Sequence, residues 1–141
     1  MNSNGSASAP AVLRMKPRIL LVEDDPAIAE MYRYRLAMEA WDISVAGDGG
    51  AAVDAALSTP PDLIVLDIEL PVKGGIDVLR EVRADPVAKQ VAVIVLSNTP
   101  GAMSMDVAHQ LGISAWAVKS ATSPDQLAGL ISVYLPRTKV D

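Results

Sequence analysis

Three short runs in this chain are apolar almost without a break: "RILLV" (Arg18–Val22), "DLIVL" (Asp62–Leu66) and "VAVIVL" (Val91–Leu96). A strand with one face in water alternates apolar and polar residues, whereas a strand covered on both faces does not. Runs of this kind predict the central strands of a parallel sheet with helices on both sides. Two weaker runs complete the set. "WDISVA" (Trp41–Ala46) alternates with period two, and "SAWAV" (Ser114–Val118) is a short fifth strand.

Helical patterns fall between these runs. Ala27–Ala40 has Ile28, Met31, Tyr32 and Leu36 at helical spacing, and Asp25 followed by Pro26 is a good helix start. Gly49–Ser58 reads as a short helix, and Gly75–Asp85 sets Ile76, Leu79 and Val82 on one face. Met103–Gly112 closes on a glycine. Ser123–Leu135 opens with a serine cap and Pro124, and carries Leu127, Leu130, Ile131, Tyr134 and Leu135 as an apolar stripe. Five strands alternating with five helices predict an α/β fold: a doubly wound (βα)5 sandwich on a five-stranded parallel sheet, flavodoxin-like.

The 141 residues suit one domain with a real core, and 50% of them are hydrophobic. Residues 18–135 are the expected domain. Residues 1–17, rich in Ser, Ala, Asn and Gly, are expected to be a flexible tail, and 136–141 a short C-terminal one. No second domain and no direct nucleic-acid binding are expected, and the net charge of −5 also argues against a basic binding face. No apolar run approaches the ~20 residues that span a bilayer, so no membrane association is expected. The chain has no cysteine, which excludes disulfides and thiolate metal sites and suits a cytoplasmic location.

In open α/β sheets ligands sit at the carboxyl ends of the strands. The residues there are Glu23, Asp24 and Asp25 after the first strand, and Asp67 with Glu69 after the third. Ser97, Asn98 and Thr99 follow the fourth strand, and Lys119 and Ser120 the fifth. Each alone has a plain structural reading: "EDDP" as a helix cap with first-turn acids, Asp67 as a turn residue, Lys119 as a surface lysine. Together they gather carboxylates, hydroxyls and one lysine on one edge. Two carboxylates about 4 Å apart repel by about 4 kcal/mol at an effective dielectric near 20, so such a cluster calls for a cation. All-oxygen ligands suit Mg²⁺, with Mn²⁺ or Ca²⁺ as substitutes, and Mg²⁺ commonly shares its shell with phosphate.

The motifs "LLVEDD", "DLIVLDIELPVKGG", "VIVLS" and "WAVKS" resemble, in order and spacing, the receiver domain of two-component response regulators. The resemblance covers roughly Arg18 to Leu135. It implies a stand-alone, chemotaxis-regulator-like phosphoprotein without turnover of a substrate. Asp67 is then the phosphoacceptor, receiving its phosphoryl group from a histidine kinase or phosphotransfer protein in a phosphorelay. Glu23, Asp24, Asp67 and the main-chain carbonyl of Glu69 are the implied Mg²⁺ ligands. Ser97 is the implied switch hydroxyl, Lys119 the phosphoryl-binding lysine and Trp116 the aromatic switch. The output is implied to pass to a protein partner through the face of the fourth helix, fifth strand and fifth helix, with the chain a monomer or weak homodimer.

Three positions depart from that pattern. A proline with a cis peptide bond usually follows the lysine, and here Ser120 stands there. An alanine commonly follows the switch hydroxyl, and Asn98 is larger and polar, so it either crowds a phosphoryl group or bonds to it. Trp116 is larger than the usual Tyr or Phe. Glu69 and Thr99 flank the site and are expected to set the lifetime of the phosphoryl group. "VKGG" (Val72–Gly75) reads as a turn with a helix start, as a loop shaping the approach to Asp67, or as both, and the family has a glycine at the place of Gly75.

Other residues read plainly. His109 is expected at the surface or a helix end, Trp41 in packing, and Met103 and Met105 in the core or on an adaptable partner surface. Rival functions are a receiver fold used only for docking, a phosphatase with an aspartate nucleophile, suggested faintly by Asp67-Ile68-Glu69, and a flavin module. The phosphatase lacks a cap insertion here and would carry its nucleophile after the first strand. The flavin module would need a phosphate cradle where "EDDP" stands.

Overall fold

The computed structural model describes residues 16–98 and 102–136, and the side chains of all of these except 102–104. Ten elements alternate along them. They are β1 (Arg18–Val22), α1 (Pro26–Leu36), β2 (Asp42–Ala46), α2 (Gly49–Ser58), β3 (Leu63–Asp67), α3 (Gly75–Ala84), β4 (Ala92–Ser97), α4 (Ala102–Gln110), β5 (Ala115–Val118) and α5 (Pro124–Tyr134). A 3₁₀ turn, Lys119–Ala121, joins the last two. All strand pairs are parallel, in the order β2-β1-β3-β4-β5. This is the expected doubly wound, flavodoxin-like (βα)5 sandwich.

The apolar runs occupy the positions their composition demands. β1, β3 and β4 are the three inner strands and are buried nearly throughout, while β2 and β5 lie at the edges and are partly exposed. Successive side chains of each inner strand point to opposite faces. Leu20, Val22, Ile64, Leu66, Val93 and Val95 enter one core, with α2, α3 and α4. Ile19, Leu21, Leu63, Val65, Ile94 and Leu96 enter the other, with α1 and α5.

The expected helix over Ala27–Ala40 is too long: α1 stops at Leu36. Met38 and Glu39 N–H donate to the Arg35 and Leu36 carbonyls, three residues back, so the chain tightens out of the α-helix there. Met31 is 47% exposed, and the face that packs is Ala29, Tyr32 and Leu36. At the end of α4, Gly112 takes φ +75°. The N–H groups of Gly112 and Ile113 donate to the His109 and Ala108 carbonyls, a left-handed cap that explains the glycine. His109 lies in the last turn of α4 and is exposed. Trp41 precedes β2 and packs against the α1–α5 core.

At the opposite end from the strand carboxyl termini, Arg83 of α3 fastens two loops. Its guanidinium donates to the Leu111, Lys89, Val91 and Gly112 carbonyls at 2.7, 2.8, 2.8 and 3.2 Å. Burial pushes its pKa below the ordinary arginine value.

Candidate functional site

The strand order reverses between β1 and β3, and the register sets what meets there. Val22 pairs with Leu66, Asp67 with Leu96 and Ser97 with Val118. Glu23, Asp67, Ser97 and Lys119 therefore stand within about two rungs of one another along the strand direction, at ~3.3 Å per rung.

"EDDP" divides its acids between two tasks. Asp25 is the cap of α1, its Oδ1 accepting from the Ala27 and Ile28 amides at 2.9 and 3.3 Å. Glu23 and Asp24 face the site instead. A carboxylate oxygen from each of Glu23, Asp24 and Asp67 falls within 4.8 Å of the others. Glu23 and Asp67 are each 3% exposed, whereas Asp24 is open to solvent.

The two buried acids are held from several sides. Lys119 Nζ donates to Asp67 Oδ2 at 2.8 Å and lies 2.7 Å from Glu23 Oε1. Asp67 Oδ1 accepts from the Glu69 amide at 2.9 Å, and Glu23 Oε2 from the Asp25 amide at 3.0 Å. Burial works against the Lys119 ammonium, but the bonds and charges of Asp67 and Glu23 outweigh it and hold its pKa above the ordinary lysine value. One ammonium against three carboxylates leaves two negative charges over. An oxygen-only cluster with that excess can coordinate a divalent cation of the Mg²⁺ or Mn²⁺ kind.

The departures from the family pattern resolve into specific contacts. The Lys119–Ser120 bond is trans, as are all peptide bonds among the described residues. Lys119 still reaches both carboxylates. Asn98 Oδ1 accepts from the Ser120 amide at 2.7 Å, so the polar side chain bonds to the neighbouring loop. Trp116 is partly buried against the α2–α3–α4 core, and its indole N–H meets no acceptor among the described residues. Ser97 is fully buried at the end of β4. Thr99 and the Met103 side chain lie outside the described residues; Met105, on α4, is partly exposed.

The loop after Asp67 is shaped by close approach. A Cβ on Gly75 would fall 2.5 Å from the Asp67 carbonyl oxygen and 2.6 Å from Ile68 Cα. Val72, at the loop tip, has φ +67° with its side chain wholly in solvent, an unfavourable backbone for a β-branched residue. One residue, placed from the sequence only in a helical apolar pattern, has a polar contact as well. Tyr32 is 2% exposed, yet its hydroxyl donates to the Thr122 carbonyl at 2.9 Å and so ties α1 to the loop carrying Lys119. The available signal was a tyrosine in an apolar stripe, whose hydroxyl needs an acceptor once buried.

A reversed parallel sheet with an acid cluster and a lysine at its carboxyl edge is the architecture of a flavodoxin-like receiver. Residues 19–131 match the response regulator receiver domain family, and the chain belongs to it. It is 34% identical over 125 residues to the DNA-binding response regulator MtrA of Mycolicibacterium smegmatis, covering 89% of this chain and 53% of that protein. The chain thus spans about half the length of such curated relatives. The phosphorylated cyanobacterial phytochrome response regulator RcpA superposes with a TM-score of 0.75 at 30% identity, over 88% of this chain and 97% of that one. The receiver domain of the sensor histidine kinase PA1611 from Pseudomonas aeruginosa, solved with magnesium in its active site cleft, gives 0.76 at 26% identity. It covers 85% of this chain and 98% of that one. The fold and the family are those of a receiver domain. Among the described residues no helix is long and apolar enough to cross a membrane.

Proposed function

We propose that this chain accepts one phosphoryl group on Asp67 in a Mg²⁺-dependent reaction and signals by a conformational shift to a protein partner. The observation that carries the reading is Lys119 Nζ, 2.8 Å from Asp67 Oδ2 and 2.7 Å from Glu23 Oε1, beside three clustered carboxylates. The functional unit is residues 18–135. The donor is a phosphohistidine on a kinase or phosphotransfer protein.

Asp67 is the nucleophile. A carboxylate oxygen forms a bond to phosphorus as the bond from phosphorus to the donor's imidazole nitrogen breaks, and that nitrogen keeps the electron pair. A bound Mg²⁺ supplies charge neutralisation for the phosphoryl oxygens. Glu23, Asp24, Asp67 and the Glu69 carbonyl are the proposed ligands. The Glu69 amide and Lys119 fix the orientation of the Asp67 carboxylate before the donor arrives. Lys119 then turns its ammonium to the developing charge.

Ser97 donates its hydroxyl to a phosphoryl oxygen, and the loop after β4 follows it. Trp116 responds to that movement, and the face formed by α4, β5 and α5 changes its population of two shapes. That face meets the downstream partner. Glu69 and Thr99 govern the hydrolysis of the aspartyl phosphate, and Gly75 keeps the approach open. A cytoplasmic location and a monomer or weak homodimer complete the proposal.

The test is intact-mass measurement after incubation with Mg²⁺ and acetyl phosphate, which replaces the histidine donor and leaves as acetate. One added phosphoryl group is expected, and none in Asp67→Ala. No added mass in the parent chain, or the same mass in Asp67→Ala, overturns the proposal.

A further inference from the structure

β5 stops at Val118, and the chain turns at once into the 3₁₀ turn Lys119–Ala121. The first amides of such a turn have no backbone acceptor within it. The preceding residue, Val118, offers no side-chain cap. One of these amides is capped from another loop, by the Ser120 N–H donating to Asn98 Oδ1 at 2.7 Å. The register explains the reach. Ser97 and Val118 are the last paired rung, so Asn98 and Lys119 come next. The ladder ends there, and the Asn98 side chain extends past it to take the amide one residue beyond Lys119.

Lys119 is therefore bracketed by the strand before it and the Asn98 bond after it. The turn's closing backbone bond, Thr122 N–H to the Lys119 carbonyl, is 3.3 Å long. A lysine has four rotatable side-chain bonds. A fixed backbone narrows the positions its ammonium can take, and here that ammonium holds two carboxylates at 2.7 and 2.8 Å. Asn98 and Ser120 are both exposed, so water competes for the same groups and the bond adds little to global stability. Its effect falls on geometry.

We propose that Asn98 is a positioning residue: by holding the Ser120 amide it fixes the backbone at Lys119, and so keeps the ammonium between Glu23 and Asp67. Its consequence for phosphoryl uptake rests on the phosphoacceptor reading above; the positioning does not.

The experiment uses the full chain, labelled with nitrogen-15, without metal. The Ser120 amide and Lys119 ammonium resonances are followed in the parent, Asn98→Ala and Asn98→Asp, the last retaining an Oδ acceptor. Asn98→Ala is expected to unfold at the parent's temperature, shift the Ser120 amide upfield, and broaden or lose the Lys119 ammonium signal. Asn98→Asp restores both signals. With Mg²⁺ and acetyl phosphate, Asn98→Ala is expected to take up phosphoryl groups about fivefold more slowly. A Lys119 signal unchanged in Asn98→Ala overturns the proposal. If that signal is lost but the parent takes up no phosphoryl group, the positioning stands and the phosphoacceptor reading falls.

Discussion

Gly75 and Asp67 touch through their backbones: a Cβ at Gly75 would lie 2.5 Å from the Asp67 carbonyl oxygen. The start of α3 is thereby seated on the end of β3, with the Gly75 amide donating to the Ile68 carbonyl at 3.0 Å. The neighbour is backbone and cannot rotate away. Gly75→Ala should push β3 and α3 apart, lower stability by about 1–3 kcal/mol, and slow phosphoryl uptake at Asp67. Urea unfolding and mass kinetics check both; an alanine variant with parent stability and rate would refute the close approach.

Removing the Lys119 charge should move two measurements in opposite directions. Lys119→Met leaves three carboxylates without their ammonium, so Mg²⁺ is expected to bind several-fold more tightly. Phosphoryl uptake is expected to fall by about 10²–10³, because the charge that faces the phosphoryl oxygens is gone. Calorimetric titration and mass kinetics on the same sample separate the two effects. Weaker Mg²⁺ binding in this variant would contradict the charge argument.

Tyr32 gives the fold an alkaline limit. Burial first, and then the nearby Glu23 carboxylate, raise its pKa above 10.0, with the Lys119 ammonium working the other way. The protonated hydroxyl is thus favoured in the folded chain. Its contribution is complete below the ordinary value of 10.0 and is lost as pH rises through the higher folded one. Lys119, also raised, loses its stabilising charge in the same direction. Tyr32→Phe should cost about 1 kcal/mol at neutral pH and flatten, without abolishing, the fall in stability toward about pH 11. Urea midpoints across that range test it, and a variant as steep as the parent would exclude Tyr32 as the source.

Arg83 offers the reverse control. Its four carbonyl acceptors lie at the far end of the sheet from Asp67. Arg83→Ala strands those carbonyls and should cost about 2–4 kcal/mol, while the rate of phosphoryl uptake by the folded fraction stays at the parent value. A loss of rate without a loss of stability would tie this loop to the chemistry.

The sheet and its acidic edge were legible because each rests on local pattern. Continuous apolar runs can only be inner strands, and the residues following them must then share an edge. In the "EDDP" stretch the helix start at Asp25 was legible from the following proline, whereas only the turn into α1 brings carboxylate oxygens of Glu23 and Asp24 to within 4.8 Å of one on Asp67. The end of α1 was overrun because Ala37, Met38, Glu39 and Ala40 suit a helix; the need to reach β2 ends it first. The Asn98–Ser120 bond and the Tyr32 hydroxyl were hidden for another reason. Each joins residues far apart in the chain, 22 and 90 positions, and depends on distances that sequence spacing does not encode.

β3 is paired on both edges and buried along all five residues, Leu63–Asp67. Its amides can exchange with deuterated water only when the whole sheet opens, whereas those of the edge strand β2 can exchange through fraying. Asp67, the proposed phosphoacceptor, therefore sits on one of the three strands expected to open last. Loops around it open more readily than its strand, so on the proposed mechanism a signal would leave the site while Asp67 keeps its place.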